Sequence, residues 1–155
     1  MGTLVEHTPP QKKIFKLDYT RHRIYLAGST HGDNWQSHFI KRLSDLNVDV
    51  FNPRTNCTDG LFGWELEHLN IATVIALYFD PSDLSPSGLL TLGMFAKTDR
   101  LIVCCPKTFH KKTDVDFVCQ REDIQTVDSL ELLIEHTIAR ISPQRKYEQK
   151  LINIS

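Results

Sequence analysis

Nowhere in the 155 residues does an apolar run approach the ~18–20 residues of a membrane span. No membrane partner is therefore expected. Charge of one sign is lacking too. Eighteen Lys and Arg face nineteen Asp and Glu, a net charge of −1, which removes the electrostatic case for binding long nucleic acid. A small anion is not excluded, because a local site needs no global charge. The four cysteines, Cys57, Cys104, Cys105 and Cys119, form no C-x-x-C pair, and the seven histidines show neither H-x-x-x-H nor H-x-x-H spacing. Neither a metal site nor a cofactor is expected. The first residues lack the basic-then-apolar pattern of a signal peptide. Gly2 is followed by Glu6 where a myristoylation signal needs Ser or Thr. Free buried thiols in a reducing, cytoplasmic setting are the expectation. The chain also lacks internal repeats and low-complexity tracts.

What is present fits one ordinary globular domain: 41% hydrophobic and 24% charged residues over a length that supports a single core. Residues 1–20 form a polar leader in which Ile14, Phe15 and Leu17 could make a short β segment or dock on a neighbour. Residues 21–142 form the domain, and 143–155 a polar tail. Strands are predicted at 23–28, 48–51, 74–79 and 100–105, with a fifth at 115–119 unless that stretch is a helical turn. The run at 74–79 is apolar throughout, as a strand covered on both faces should be. Cys104 and Cys105, adjacent in a strand, point to opposite faces. Helices are predicted after an Asp33 or Asn34 cap, with Trp35, Phe39, Leu43 and Leu46 on one face, at 64–72, and at 89–97, where Gly93 permits close packing on the sheet. A last helix is capped by Asp128 with Glu131 three residues on. Strands alternating with helices imply a doubly wound α/β domain with a mostly parallel, five-stranded sheet. Such sheets bind ligands beyond the C-terminal ends of their strands. Here that selects the loops after Gly28, Asn52 and Phe79.

Three constellations could carry chemistry. In Tyr25-Leu26-Ala27-Gly28-Ser29-Thr30-His31-Gly32-Asp33, a strand ends in a glycine that lets a ligand approach the backbone, and hydroxyls and free amides follow. It is neither a Walker A loop nor a G-x-G-x-x-G turn. In Trp64-Glu65-Leu66-Glu67-His68-Leu69, residues 65, 68, 69 and 72 share a helical face. A carboxylate there could serve a base or a ribose hydroxyl and Trp64 could stack on a base. The plainer reading is a solvated Glu/Glu/His face with a core tryptophan. In the stretch from Asp80 to Gly93, Asp80 follows the central strand, Ser85 is placed to cap a helix and Pro86 to start it. The plainer reading there is a well-capped connection.

Taken in order, these pieces resemble the nucleoside 2-deoxyribosyltransferase-like superfamily. The resemblance runs from about Ile24 to Asp123. It joins Tyr25-Leu26-Ala27-Gly28-Ser29, Asn34-Trp35-Gln36, Phe51-Asn52-Pro53-Arg54, Trp64-Glu65, Tyr78-Phe79-Asp80-Pro81, Ser85-Pro86 with Leu89-Leu90-x-Leu92-Gly93, Val103-Cys104-Cys105-Pro106 and Asp114-Val115-Asp116-Phe117-Val118-Cys119. It implies a flavodoxin-like fold that cleaves the N-glycosidic bond of deoxynucleosides or their monophosphates. A glutamate attacks the anomeric carbon, and water or another base resolves the glycosyl-enzyme. By resemblance Tyr25 would orient the nucleophile, Ser29 would contact sugar or phosphate, Glu65 would lie near a carboxylate serving the base or proton transfer, and Asp80 near the pocket floor. The ligand would be held by residues among Gly28, Ser29, Thr30, His31, Trp35, Asn52, Arg54, Trp64, Ser85 and Pro86. Relatives often complete each site with a neighbouring subunit, which implies a homo-oligomer.

Two positions depart from the pattern. The family's Glu-Leu-Gly is Thr91-Leu92-Gly93, and the Ala-Asp before the third strand is Ala72-Thr73. A threonine hydroxyl is a poor nucleophile without an adjacent base. Three explanations stay open: an engineered inactive variant, a natural nucleotide-binding pseudoenzyme, or an enzyme in which Glu65 or Asp80 serves as base for direct attack by water. The expected functions are therefore N-glycosidic cleavage or 2-deoxyribosyl transfer on a nucleoside or nucleotide, a catalytically silent binding module, or an oligomeric interaction protein.

Overall fold

The computed structural model describes residues 2–10, 17–55 and 61–142. Within them the chain runs β1 (Val5–His7), β2 (His22–Gly28), α1 (Trp35–Arg42), β3 (Val48–Phe51), α2 (Leu61–Ile71), β4 (Val74–Tyr78), α3 (Pro86–Phe95), β5 (Leu101–Cys104), α4 (Lys112–Arg121), β6 (Gln125–Val127) and α5 (Leu130–Ile141). All strand pairs are parallel, in the order β1-β3-β2-β4-β5-β6. Setting β1 aside, this is the flavodoxin order, and its switch point lies between β2 and β4. Alternation along the strands builds two cores. Tyr25, Phe51, Ile75, Leu77 and Val103 face α2, α3 and α4. Ile24, Leu26, Val50, Val74, Ala76 and Ile102 face α1 and α5.

The α/β class and parallel sheet agree with the sequence, but the sheet has six strands rather than five. Residues 115–119 are not a strand; they lie in α4, where Val115 and Cys119, four apart, are the buried pair. The edge strand after α4 is the three-residue β6, and its apolar signal is Val127 alone. At the other edge β1 comes from the leader. His7 Nε2 and Asp49 Oδ1 are 2.9 Å apart, and Arg21 Nε donates to Asp49 Oδ2 at 3.1 Å, so a largely buried charge cluster ties β1 to β3. Leu17 packs partly against the core. Ile14, Phe15, Cys57 and the tail at 143–155 lie outside the described residues. Cys104, Cys105 and Cys119 are free and buried, and Cys104 and Cys105 fall in opposite cores as alternation requires.

Capping shows how narrow such signals are. Asn34 caps α1, its Oδ1 accepting from Ser37 N at 3.1 Å. The cap of α5 is Ser129, not Asp128: Ser129 Oγ accepts from Leu132 N at 3.2 Å. That one-residue shift takes Glu131 out of a capping box, and it bridges instead to His38 and Arg42 of α1.

Candidate functional site

The C-terminal ends of β2 and β3 and the helices α2 and α3 enclose a cleft. Its floor is Tyr25, Ala27 and Gly28 of β2, and Thr30 and Pro53 come from the following loops. One wall is Glu65 of α2; the other is Ser87 and Thr91, one turn apart on α3. Two glycines bring the walls this close. Gly28 has φ +115°, and a Cβ there would lie 2.0 Å from the Tyr78 carbonyl oxygen. Gly88, in the first turn of α3, sits so near β2 that its Cβ would meet Gly28 Cα at 3.1 Å, Phe79 Cε1 at 3.0 Å and Ser85 Oγ at 2.5 Å. The close-packing glycine is thus Gly88. Gly93, assigned that role from sequence, is exposed, with nothing within 4 Å of its would-be Cβ.

Glu65 and Tyr25 dominate the electrostatics. Burial raises the Glu65 carboxyl above its usual range. Among the described residues it has no hydrogen-bond or ion-pair partner. Burial, and secondarily the nearby Glu65 charge, hold the Tyr25 phenol well above its ordinary value, so it stays protonated as a donor. Thr91 is buried, yet its hydroxyl has no base within hydrogen-bonding reach among the described residues. A half-buried, unpaired carboxyl beside a phenol is equipped to move a proton; an unassisted hydroxyl is not equipped to attack. The cleft has room for about one water molecule, far below the ~300 Å³ at which small-molecule pockets begin. Ligand entry therefore requires its walls to part.

Of the residues singled out from sequence, the cleft gathers Tyr25, Gly28, Thr30, Glu65 and Thr91. Ser29 is fully buried just beneath, its Oγ accepting from Asp80 N at 2.8 Å. The Ser29 carbonyl takes Trp35 Nε1 at 2.7 Å and Gln36 Nε2 at 2.9 Å. Trp35 thus belongs to the opposite core, edge-on to Tyr78. Asp80 turns to Ser82, whose amide and hydroxyl it accepts at 2.9 and 2.8 Å. Asn52 donates to Glu6 Oε1 at 2.9 Å. Arg54 donates to Gln36 Oε1 and to the Asp33 carbonyl, both at 2.8 Å. His31 and Pro86 are exposed.

Ser85 precedes α3 as expected but does not cap it with its side chain. At φ 48° it is left-handed, and its buried Oγ is unpartnered. Trp64 is stacked on His68, ring centroids 3.9 Å apart, inside α2 rather than on the cleft. His68 is not on a solvated face: it is 1% exposed, and burial lowers its pKa. Its Nδ1 lies 2.7 Å from the Trp64 carbonyl, which fixes the neutral proton on Nδ1 and leaves Nε2 a bare acceptor. That Nε2, Trp64 Nε1 and Ser85 Oγ are the buried side-chain polar atoms without partners among the described residues. Ser87 was not singled out from sequence; its place four residues before Thr91 on one helix is the signal that would have found it.

The match with a family model for nucleoside 2-deoxyribosyltransferase-like proteins covers residues 21–109, more than half of the chain. The chain belongs to this family. The matched segment contains every residue of the cleft. No curated protein gives a significant match. In this nucleoside 2-deoxyribosyltransferase-like chain, the cleft lies at the β2/β4 switch point, where the fold class places its ligands. Among the described residues no helix is long and apolar enough to cross a membrane.

Proposed function

We propose that the cleft binds a nucleoside or nucleotide and hydrolyses its N-glycosidic bond by direct attack of water, with Glu65 as the proton-transfer group. One observation carries this reading: in a chain of this family, Glu65 is a half-buried carboxyl, unpaired among the described residues, that shares a cleft with Tyr25 and Thr91. Glu65 takes a proton from water as the water oxygen bonds to the anomeric carbon. The C–N bond breaks through an oxocarbenium-like transition state, and the base leaves with the electron pair and takes up the proton that Glu65 removed from the water, which returns Glu65 to its carboxylate form. Tyr25, protonated at neutral pH, donates a hydrogen bond to the sugar or the attacking water. Hydrolysis is favoured over transfer because Thr91 offers no activated nucleophile for a glycosyl-enzyme. A homo-oligomer is part of the proposal, as is a setting in the cytoplasm.

The same threonine favours a second reading, a binding module that keeps the pocket without the reaction. Chromatographic detection of free base from deoxynucleosides and their 5′-monophosphates separates the two. Hydrolysis predicts base release that falls by ~10²-fold or more in Glu65→Gln. A ligand-induced rise in melting temperature without base release selects the binding module. Silence in both assays overturns both.

A further inference from the structure

We infer that a cavity at the N-terminal ends of β5 and β6 is a second ligand site, one that holds a small zwitterion of the α-amino acid class. It lies at the opposite end of the sheet from the cleft and shares no residue with it. Its volume is about 150 Å³. A cavity of that size takes a molecule as large as benzene, which has as many non-hydrogen atoms as alanine. Leu101 opens β5 and Gln125 opens β6. Arg140 reaches them from the last turn of α5. Its Nη1 donates to the Leu101 carbonyl at 3.3 Å and its Nη2 to Gln125 Oε1 at 2.7 Å. Both partners are neutral, and the guanidinium keeps N–H groups for an anion. Asp99 and Asp123 bring two carboxylates to the same lining.

The fold does not need those carboxylates. Asp99 follows the C-terminal end of α3 and Asp123 that of α4, with φ 59° and 54°. A left-handed residue after a helix is ordinarily Gly or Asn, and a negative charge there meets the negative end of the helix dipole. Neither carboxylate has a hydrogen-bond or ion-pair partner among the described residues, and Arg140 has no ion-pair partner among them. Burial lowers the Arg140 pKa, and the nearby Asp99 charge opposes that. The aspartates repel a simple anion and the arginine repels a simple cation. A molecule with a carboxylate and an ammonium on one carbon satisfies both. Its carboxylate takes charge-assisted hydrogen bonds from the guanidinium, and the three ammonium donors serve the two aspartates. Leu101 and Ile124 leave apolar surface for a short side chain. The inference does not depend on the chemistry of the cleft.

Titration of the isotope-labelled full chain with L-alanine, followed by amide NMR, tests it. With so few ligand atoms, saturation at millimolar concentration is expected. The shifts should fall at Asp99, Leu101 and residues 123–125, and not at Tyr25 or Thr91. Ethylamine and propionate are alanine without its carboxylate and without its amine, and each should bind ~10-fold or more weakly than alanine. Asparagine tolerates the left-handed backbone, so Asp99→Asn and Asp123→Asn should each weaken alanine binding by a similar factor, with an unchanged or raised melting temperature. No saturable shift at the cavity overturns the inference. So does ethylamine or propionate binding as tightly as alanine, or an asparagine variant that binds alanine as the parent does. A fall in melting temperature in both variants also overturns it, because the aspartates would then serve the fold.

Discussion

Gly88→Ala tests the argument that one close approach positions the cleft. Two effects oppose each other. Alanine favours a helix over glycine by ~1 kcal/mol, and Gly88 has no left-handed φ to lose. Against this, the new methyl would meet Ser85 Oγ at 2.5 Å, Phe79 Cε1 at 3.0 Å and Gly28 Cα at 3.1 Å. The first neighbour can rotate. The second belongs to a fully buried ring; the third is strand backbone paired with β4 at Tyr78. Overpacking of this kind costs ~1–3 kcal/mol, so after the helix gain a net loss of up to ~2 kcal/mol is expected. For a domain of this size that is a fall of up to roughly 6 °C in melting temperature. Gly93→Ala, on the same helix in open space, should instead gain ~0.5–1 kcal/mol. Both are measured by thermal melts at one fixed chain concentration. If Gly88→Ala is as stabilising as Gly93→Ala, α3 does not press on β2 as described.

Gly28→Ala should be worse, because it adds a φ of +115° to a 2.0 Å clash with the Tyr78 carbonyl; a loss of soluble yield and of cooperative melting is expected, and a native-like melt refutes it. Burial raises the folded-state pKa of Glu65, so its ionisation opposes folding: the cost is absent below the unfolded carboxylate pKa and grows as pH rises to the folded one. Glu65→Gln should therefore raise the melting temperature at pH 7, with the gain fading as pH drops through the carboxylate range; a pH-independent difference sinks this account. Asp49→Ala strips the partner from His7 and Arg21 and should cost ~3 kcal/mol, with hydrogen exchange rising first in β1; unchanged protection of β1 argues against the cluster as its anchor. Burial pushes the Cys104 thiol up to about 12 and those of Cys105 and Cys119 to about 11, so in a Cys57→Ser chain a disulfide reagent at pH 8 should label no thiol until denaturant is added.

The sequence revealed best those features that depend on a repeating pattern. The alternation of apolar runs and amphipathic stretches fixes the doubly wound sheet, and the run at 74–77 marks β4 as central because both its faces are covered. It revealed least where three residues decide an element. β1 and β6 are each three residues long with one buried side chain, so neither has a period to read, and tertiary pairing alone makes them strands. The helix at 112–121 was legible only by choosing between periods of two and four in a five-residue window. The site divides in the same way. Residues at strand ends, such as Tyr25, Gly28 and Thr30, follow from topology. The fates of Trp35, Asn52 and Arg54 depend on which carbonyl or carboxylate is nearest, and spacing says nothing of that.

The departure at Thr91 looks different once the geometry is known. A carboxylate there would share a cleft holding about one water molecule with Glu65. Two like charges so close raise one another's pKa, and the phenol of Tyr25 would be drawn between them. With threonine in that place, Glu65 is the only ionisable carboxyl lining the cleft among the described residues, and its raised pKa arises from burial. On the proposed reading, threonine at the position that the resemblance gives to a nucleophile also leaves Glu65 without a competing carboxylate. That effect makes base catalysis by Glu65 the chemistry to test first, and it explains why Thr91→Glu is informative in either direction. A rise in base release would mean the scaffold still aims a carboxylate at the anomeric carbon. A fall would mean that Glu65 works best alone.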